Sequence, residues 1–282
     1  MNKYQTNKLS RRQLSNMAYE SVAIMCGLIL MFPIIYCVFI SFMKPSQILS
    51  LPPSFWPKTW TLQSYQLVNE IVPIRTYMIN SLIMALVASI MRVILGSLAA
   101  YGFSFFDFKG RDFLFLVCLG TIMVPGDVVI ITNYKTIAAL KWTNSYPGLI
   151  CVFCISAMNI FVMRQNFLTF SRSLRDAAYV DGCGSFRFYL EILLPTSVSV
   201  LTSVFISSFI SVWNTYLWPL LVAHTESMQT VQIGVAKLNF ADGDSYGGIM
   251  AASVLIMIPT IIMFLIFRKK IVRGMMTGAV KE

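Results

Sequence analysis

Apolar residues in this chain come in long runs rather than in alternation. Runs of about twenty residues or more occupy 21–43, 77–103, 113–131, 148–167, 198–218 and 248–267, and each can cross a hydrocarbon layer of about 30 Å as a helix. The stretch 168–195 differs, because it mixes apolar and polar positions without being apolar enough to cross. Some other surface must therefore cover its apolar side. Leu174, Ala177, Ala178 and Asp181 recur three and four apart, which predicts a short helix with a small, close-approach face. The Gly182-Cys-Gly184 turn ends that helix, and a second one runs to Pro195. The pattern predicts an all-α, polytopic membrane protein with six transmembrane helices. Residues 1–282 form one membrane domain, with a polar tail at 1–20 and a loop at 168–195.

Composition agrees with this reading, since 57% of residues are apolar and only 12% charged, too few charges for a water-facing surface. The net charge of +10 suggests nucleic acid until the basic residues are placed on the spans. With the N-terminus inside, fifteen of the 22 fall in cytoplasmic pieces; Lys44, Lys58, Arg75, Lys135, Lys141 and Lys237 fall outside, and Arg92 alone lies within a span. That asymmetry follows the positive-inside rule, and no basic-aromatic motif accompanies it, so nucleic acid is not a partner. Both termini are then cytoplasmic, and membrane lipid is the solvent of the spans. The first apolar run is too long for a signal peptide and ends in Lys44-Pro45, which predicts a retained helix. Trp56, Trp60, Trp142, Trp213 and Trp218 map to the outer side, as an aromatic belt does. None of the six cysteines lies in an outer loop, so no disulfide framework is expected; the Cys151/Cys154 spacing sits in apolar surroundings that suit neither redox nor zinc chemistry.

Candidate chemistry is sparse. The only histidine, His224, lies in an outer loop, and no glycine-rich phosphate loop is present, so the chain is not an enzyme and needs no cofactor or metal. Asp242-Gly-Asp244 lacks the remaining ligands of a calcium loop and reads as a solvated turn. In the fifth run Ser199, Ser203, Ser207 and Ser211 recur every four residues, with Asn214 three further on. This polar stripe either packs against another helix or, at Ser207, Ser211, Asn214 and Tyr216, lines a solute pathway. Arg92 snorkels, pairs with another group or faces a water-filled cavity, where it would favour an anion such as a phosphorylated polyol.

The segment Asp176-Ala177-Ala178, then Gly182, then Ile192 and Leu194-Pro195, resembles the EAA motif of the permease subunits of ABC importers. It departs from that motif in having Asp for Glu and Cys183-Gly184 for Ala-Ser. Further likeness to the carbohydrate branch runs over nearly the whole chain, in Ser41-Phe-Met-Lys44-Pro45, Ala99-Ala-Tyr101, Val124-Pro125-Gly126, Trp213-Asn214-Thr-Tyr216-Leu-Trp218-Pro219 and Gly278-Ala-Val-Lys281. The resemblance implies a heterodimer with a second permease subunit, two cytoplasmic ATPase subunits, an external solute-binding protein and a mono- or oligosaccharide as substrate. It also implies that Asp176, Ala177, Ala178, Asp181, Gly182, Ile192 and Pro195 couple transport to ATP hydrolysis. A glycerol-3-phosphate importer is the neighbouring possibility. An ion-coupled carrier would need a paired acid inside a span, and no carboxylate is expected well inside one.

Overall fold

In a computed structural model, residues 3–241 and 246–279 are described, and among them every regular element is helical. The Asp242-Gly-Asp244 turn, and Lys281 at the end, lie outside the described residues. Three helices are long and apolar enough to cross a membrane, within Tyr19–Ser41, Ile74–Phe105 and Tyr246–Arg268. Three bent helix pairs supply the others when each pair counts as one span. By contacts the chain falls into two compact units, 1–72 with 238–255, and 73–237 with 256–282.

In the first unit, the helix Lys3–Ser41 ends in an aromatic cluster. Trp56 lies edge-on to Phe39 at 4.6 Å and Trp60 tilts on Phe42 at 5.5 Å, while the Ser41 hydroxyl and the Tyr65 phenol share a hydrogen bond of 2.8 Å. Both tryptophans keep more than half of their surface exposed, as an interfacial belt requires.

The second unit is built on the 32-residue helix Ile74–Phe105. Its buried positions include Tyr77, Ser81, Met84, Ala85, Ala88, Ser89, Gly96, Ser97, Ala100 and Tyr101, one face at helical period and mostly small residues. Small side chains let neighbouring helices approach closely. A Cβ on Gly96 would stand 3.0 Å from the end of Met163 in the helix Ala157–Leu168. That helix is tied in turn to Val198–Trp213 by a buried hydrogen bond from the Asn159 amide to the Ser208 hydroxyl, 2.8 Å.

The third, fourth and fifth runs are not straight helices, a correction to the pattern. The third bends by 92° between Arg111–Met123 and Gly126–Ala139. Pro125 has no N–H to donate and holds Val124 extended (φ −86, ψ 113), so the helix cannot pass through. The fourth bends by 47° between Tyr146–Phe153 and Ala157–Leu168. The fifth stops at Trp213, and a new helix starts at Leu217. Trp213 and Trp218 also leave the expected belt. Both are buried, Trp213 stacked 5.7 Å from Phe209 and the Trp218 indole N–H donating to the Gly148 carbonyl at 3.2 Å.

Candidate functional site

The segment that alternates apolar and polar residues folds as a helical lever. Its first arm is Arg172–Val180, and Gly182 follows with φ +79. The Gly182 N–H donates to the Tyr179 carbonyl at 3.0 Å and the Cys183 N–H to the Ala178 carbonyl at 2.9 Å, which together make a Schellman C-cap. A second arm starts at Ser185, passes through a π-turn at Tyr189–Leu193 and reaches Thr196 beyond Pro195; the chain then bends by 78° into Val198–Trp213.

The two faces of the lever differ sharply. Ala178, Phe188, Tyr189 and Leu193 are buried with Ala100, Tyr101, Ile160, Met163, Phe167 and Val204. Ala178 therefore packs the lever against its own chain, which corrects its place on a partner-facing surface. Asp176, Ala177, Asp181, Gly182 and Pro195 are exposed, and Ile192 is half-buried. Leu174, Val180 and Phe186 stand out beside them, with Val180 88% and Phe186 66% exposed. Helical spacing does not single out Val180 and Phe186; their signal in the sequence is a bulky apolar residue on either side of the turn.

Hydrogen bonds fasten the lever to the second span. The Tyr101 phenol donates to the Ser185 carbonyl at 2.8 Å, and the Tyr189 and Ser97 hydroxyls share a bond of 2.7 Å. On the open side, the Arg175 guanidinium lies 3.3 Å from the Asp176 carboxylate, so the motif's acid has a partner within the chain. The Glu191 carboxylate, 2.8 Å away, holds the Arg187 guanidinium above its ordinary pKa by hydrogen bonding and charge. Arg164 gathers three spans at this end. It donates to the Phe103 carbonyl at 3.3 Å, lies 4.0 Å over the Phe115 ring and stands 4.0 Å from Asp112.

Counted from the lever end, the broken helices are short. Arg111–Met123 rises about 20 Å, Ala157–Leu168 about 18 Å and Val198–Trp213 about 24 Å. Each is shorter than a hydrocarbon layer of about 30 Å, and the breaks at their far ends meet. A cleft of about 360 Å³ is lined by Gly126, Asp127, Val129, Ile130 and Asn133 from the third break, Val152 and Phe153 from the fourth, and Thr215, Leu217 and Trp218 from the fifth. Irregular backbone at membrane depth is tolerated where it is buried in protein or lines a cavity. Asp127, near the end of the third run, is the carboxylate that lines this cleft.

None of the predicted pathway residues Arg92, Ser207, Ser211, Asn214 and Tyr216 is among those lining this cleft. Asn214 caps its helix, its amide donating to the Ile210 carbonyl at 2.9 Å, and Tyr216 is half-buried; Thr215, between them, reaches the cleft. Ser199, Ser203, Ser207 and Ser211 are all exposed, so they form no seam within the chain. The Ser207 hydroxyl donates to the Val204 carbonyl at 3.1 Å. Arg92 neither snorkels nor opens to the cleft: its Nε donates to the Phe153 carbonyl at 2.6 Å, with the guanidinium 5.9 Å over the Phe153 ring. It pins the break of the fourth span to the second. Removing one partner of such a bond costs about 1–3 kcal/mol. Arg92→Ala should accordingly lower the melting temperature of the purified protein by several degrees, followed by its thermal unfolding in detergent, and Arg92→Lys should recover part of the loss. An unchanged melting temperature would remove the pin.

These features are those of a membrane subunit of an ATP-driven importer, and the chain belongs to the family described as binding-protein-dependent transport system inner membrane component, whose match spans residues 21–277. It is 32% identical over 261 residues to the arabinooligosaccharides transport system permease protein AraQ of Bacillus subtilis (strain 168), covering 91% of this chain and 92% of that protein. It is also 32% identical over 276 residues to the sn-glycerol-3-phosphate transport system permease protein UgpE of Brucella abortus (strain 2308), covering 95% and 98%. The fold is shared with a chain in the crystal structure of a bacterial ABC transporter involved in the import of the acidic polysaccharide alginate, with a TM-score of 0.79 over 91% of this chain and 96% of that one, at 20% identity.

Proposed function

We propose that this chain forms half of the translocation pathway of an importer for a mono- or oligosaccharide, beside a second permease subunit. Two cytoplasmic ATPase subunits grip the lever, and an external solute-binding protein delivers the sugar. The observation that carries the coupling role is the two-faced lever, with its inner face buried on the second span and Asp176, Ala177, Asp181 and Gly182 open to a partner. Leu174, Val180 and Phe186 add the apolar area that docking needs. Ile192 and Pro195 lie where the second arm turns into the fifth span, so a push on the lever reaches that span through the bend and the second span through Tyr101 and Tyr189. ATP hydrolysis belongs to the partners, and the permease works without cofactor or metal. The chain acts as one membrane domain in the cell membrane with both termini in the cytoplasm.

The relatives' names divide between an uncharged oligosaccharide and a phosphorylated polyol. Carbohydrate is favoured because the charged residue that lines the cleft is a carboxylate, Asp127, and Arg92 does not line it. Purification of the tagged chain from its native membranes tests the proposal. The expected result is recovery of an ATPase subunit and a second permease, with hydrolysis stimulated several-fold by the loaded binding protein; isolation of the chain alone would overturn it.

A further inference from the structure

We infer that the cleft where the three spans break is a site for uncharged polyhydroxyl solutes, with Asp127 as the group that binds their hydroxyls and turns anions away. This rests on the importer reading above and adds the charge class of its solute. Asp127 is exposed at the break, and among the described residues it has no ion pair. A carboxylate offers only acceptors, so it takes hydrogen bonds from hydroxyls and has none to offer a phosphate. Asn133 and Thr215 line the cleft with it, the Thr215 hydroxyl donating to the Ser211 carbonyl at 3.1 Å and free to accept, and Phe153, Trp218, Leu217 and Val152 supply apolar walls. That mixture suits a molecule with hydroxyls on its edges and C–H groups on its faces.

Of the residues that line the cleft, Asp127 alone is charged. Arg92 is turned to the Phe153 carbonyl, and Lys135, two residues beyond Asn133, is not among the lining residues. Each break joins the C-terminus of one helix to the N-terminus of the next, so the helix ends add no net sign to the cleft. An ionised group at membrane depth is costly and marks a solute path when it faces water. A single carboxylate between low-dielectric walls enriches cations over anions by on the order of tenfold or more.

The test uses the complete complex in native membranes, with the six native cysteines replaced by serine and Thr215→Cys as reporter. Cationic and anionic methanethiosulfonates of matched size are compared, each rate normalised to a free thiol in solution. The expected cation-to-anion ratio is about tenfold or more, falling to near one in Asp127→Asn and in Asp127→Ser. Excess glucose should slow labelling, and glycerol phosphate at the same concentration should not. A ratio of one with Asp127 in place, a ratio that survives both substitutions, no reaction with either reagent, or protection by glycerol phosphate rather than glucose would each overturn the inference. ATPase stimulation of the wild-type complex by its binding protein reads the importer assignment separately, so a failure of one is distinguishable from a failure of the other.

Discussion

Gly148→Ala should leave little folded protein. A Cβ on Gly148 would overlap the Trp142 carbonyl oxygen, approach the Trp142 carbonyl carbon to 3.0 Å and stand 3.2 Å from the Ile137 side chain. The obstacle is backbone that cannot swing aside. The Trp142 N–H donates to the Ile137 carbonyl at 3.0 Å, and the Ser145 hydroxyl donates to the Trp142 carbonyl at 2.6 Å. Moving Gly148 instead would break the bond from the Trp218 indole to the Gly148 carbonyl, 3.2 Å, and with it one wall of the cleft. Overpacking against fixed backbone, together with lost buried hydrogen bonds, costs about 3 kcal/mol or more. The measure is the yield and melting temperature of the detergent-solubilised protein. Gly102→Ala is the control, since a Cβ there meets nothing within 4 Å, and it should behave as wild type.

Gly182→Val should leave the protein folded but uncouple it. A Cβ at Gly182 also meets nothing within 4 Å, so space is not the difficulty. The difficulty is φ +79, which costs an L-residue about 1–2 kcal/mol, and a β-branched one more. A penalty of that size shifts the population of the turn by roughly five- to thirtyfold. The two arms of the lever would then lose their fixed angle. Stimulation of ATP hydrolysis by the loaded binding protein should fall at least fivefold while the melting temperature of the spans changes little, and Gly182→Asn, which tolerates the left-handed region, should retain most of it. Full stimulation in the valine variant would show that the angle does not matter.

The six crossings were legible because lipid imposes long apolar runs, and the turn at Gly182 because a glycine between two amphipathic pieces is a strong stop signal. The breaks were less legible. Val124-Pro125 announces one, but nothing in the apolar sequence around Ile155 and Ser156 marks the second, which is held in part by Arg92 reaching across from another helix. Asp127 passed unnoticed because its run reads as one straight span, where it would sit near the end. Spacing put Ala178 on one face with Leu174 and Asp181, but those two are exposed whereas Ala178 is buried with residues of the second span. Trp213 and Trp218 were assigned by depth alone, whereas burial is decided by their neighbours Phe209 and Gly148. Periodicity reports faces, and only packing reports what covers them.

Cross-linking from the exposed arm of the lever tests the coupling account most directly. Ala177→Cys in the complete complex, in a background with the native cysteines replaced, would be treated with a membrane-impermeant thiol-reactive cross-linker added to either side of the membrane. The account predicts one adduct, with the ATPase subunit, formed only when the reagent is added to inside-out vesicles and lost when ATPase subunits are stripped away. Reaction in right-side-out vesicles, or an unlinked Ala177→Cys thiol in a complex that still hydrolyses ATP in response to its binding protein, would contradict it.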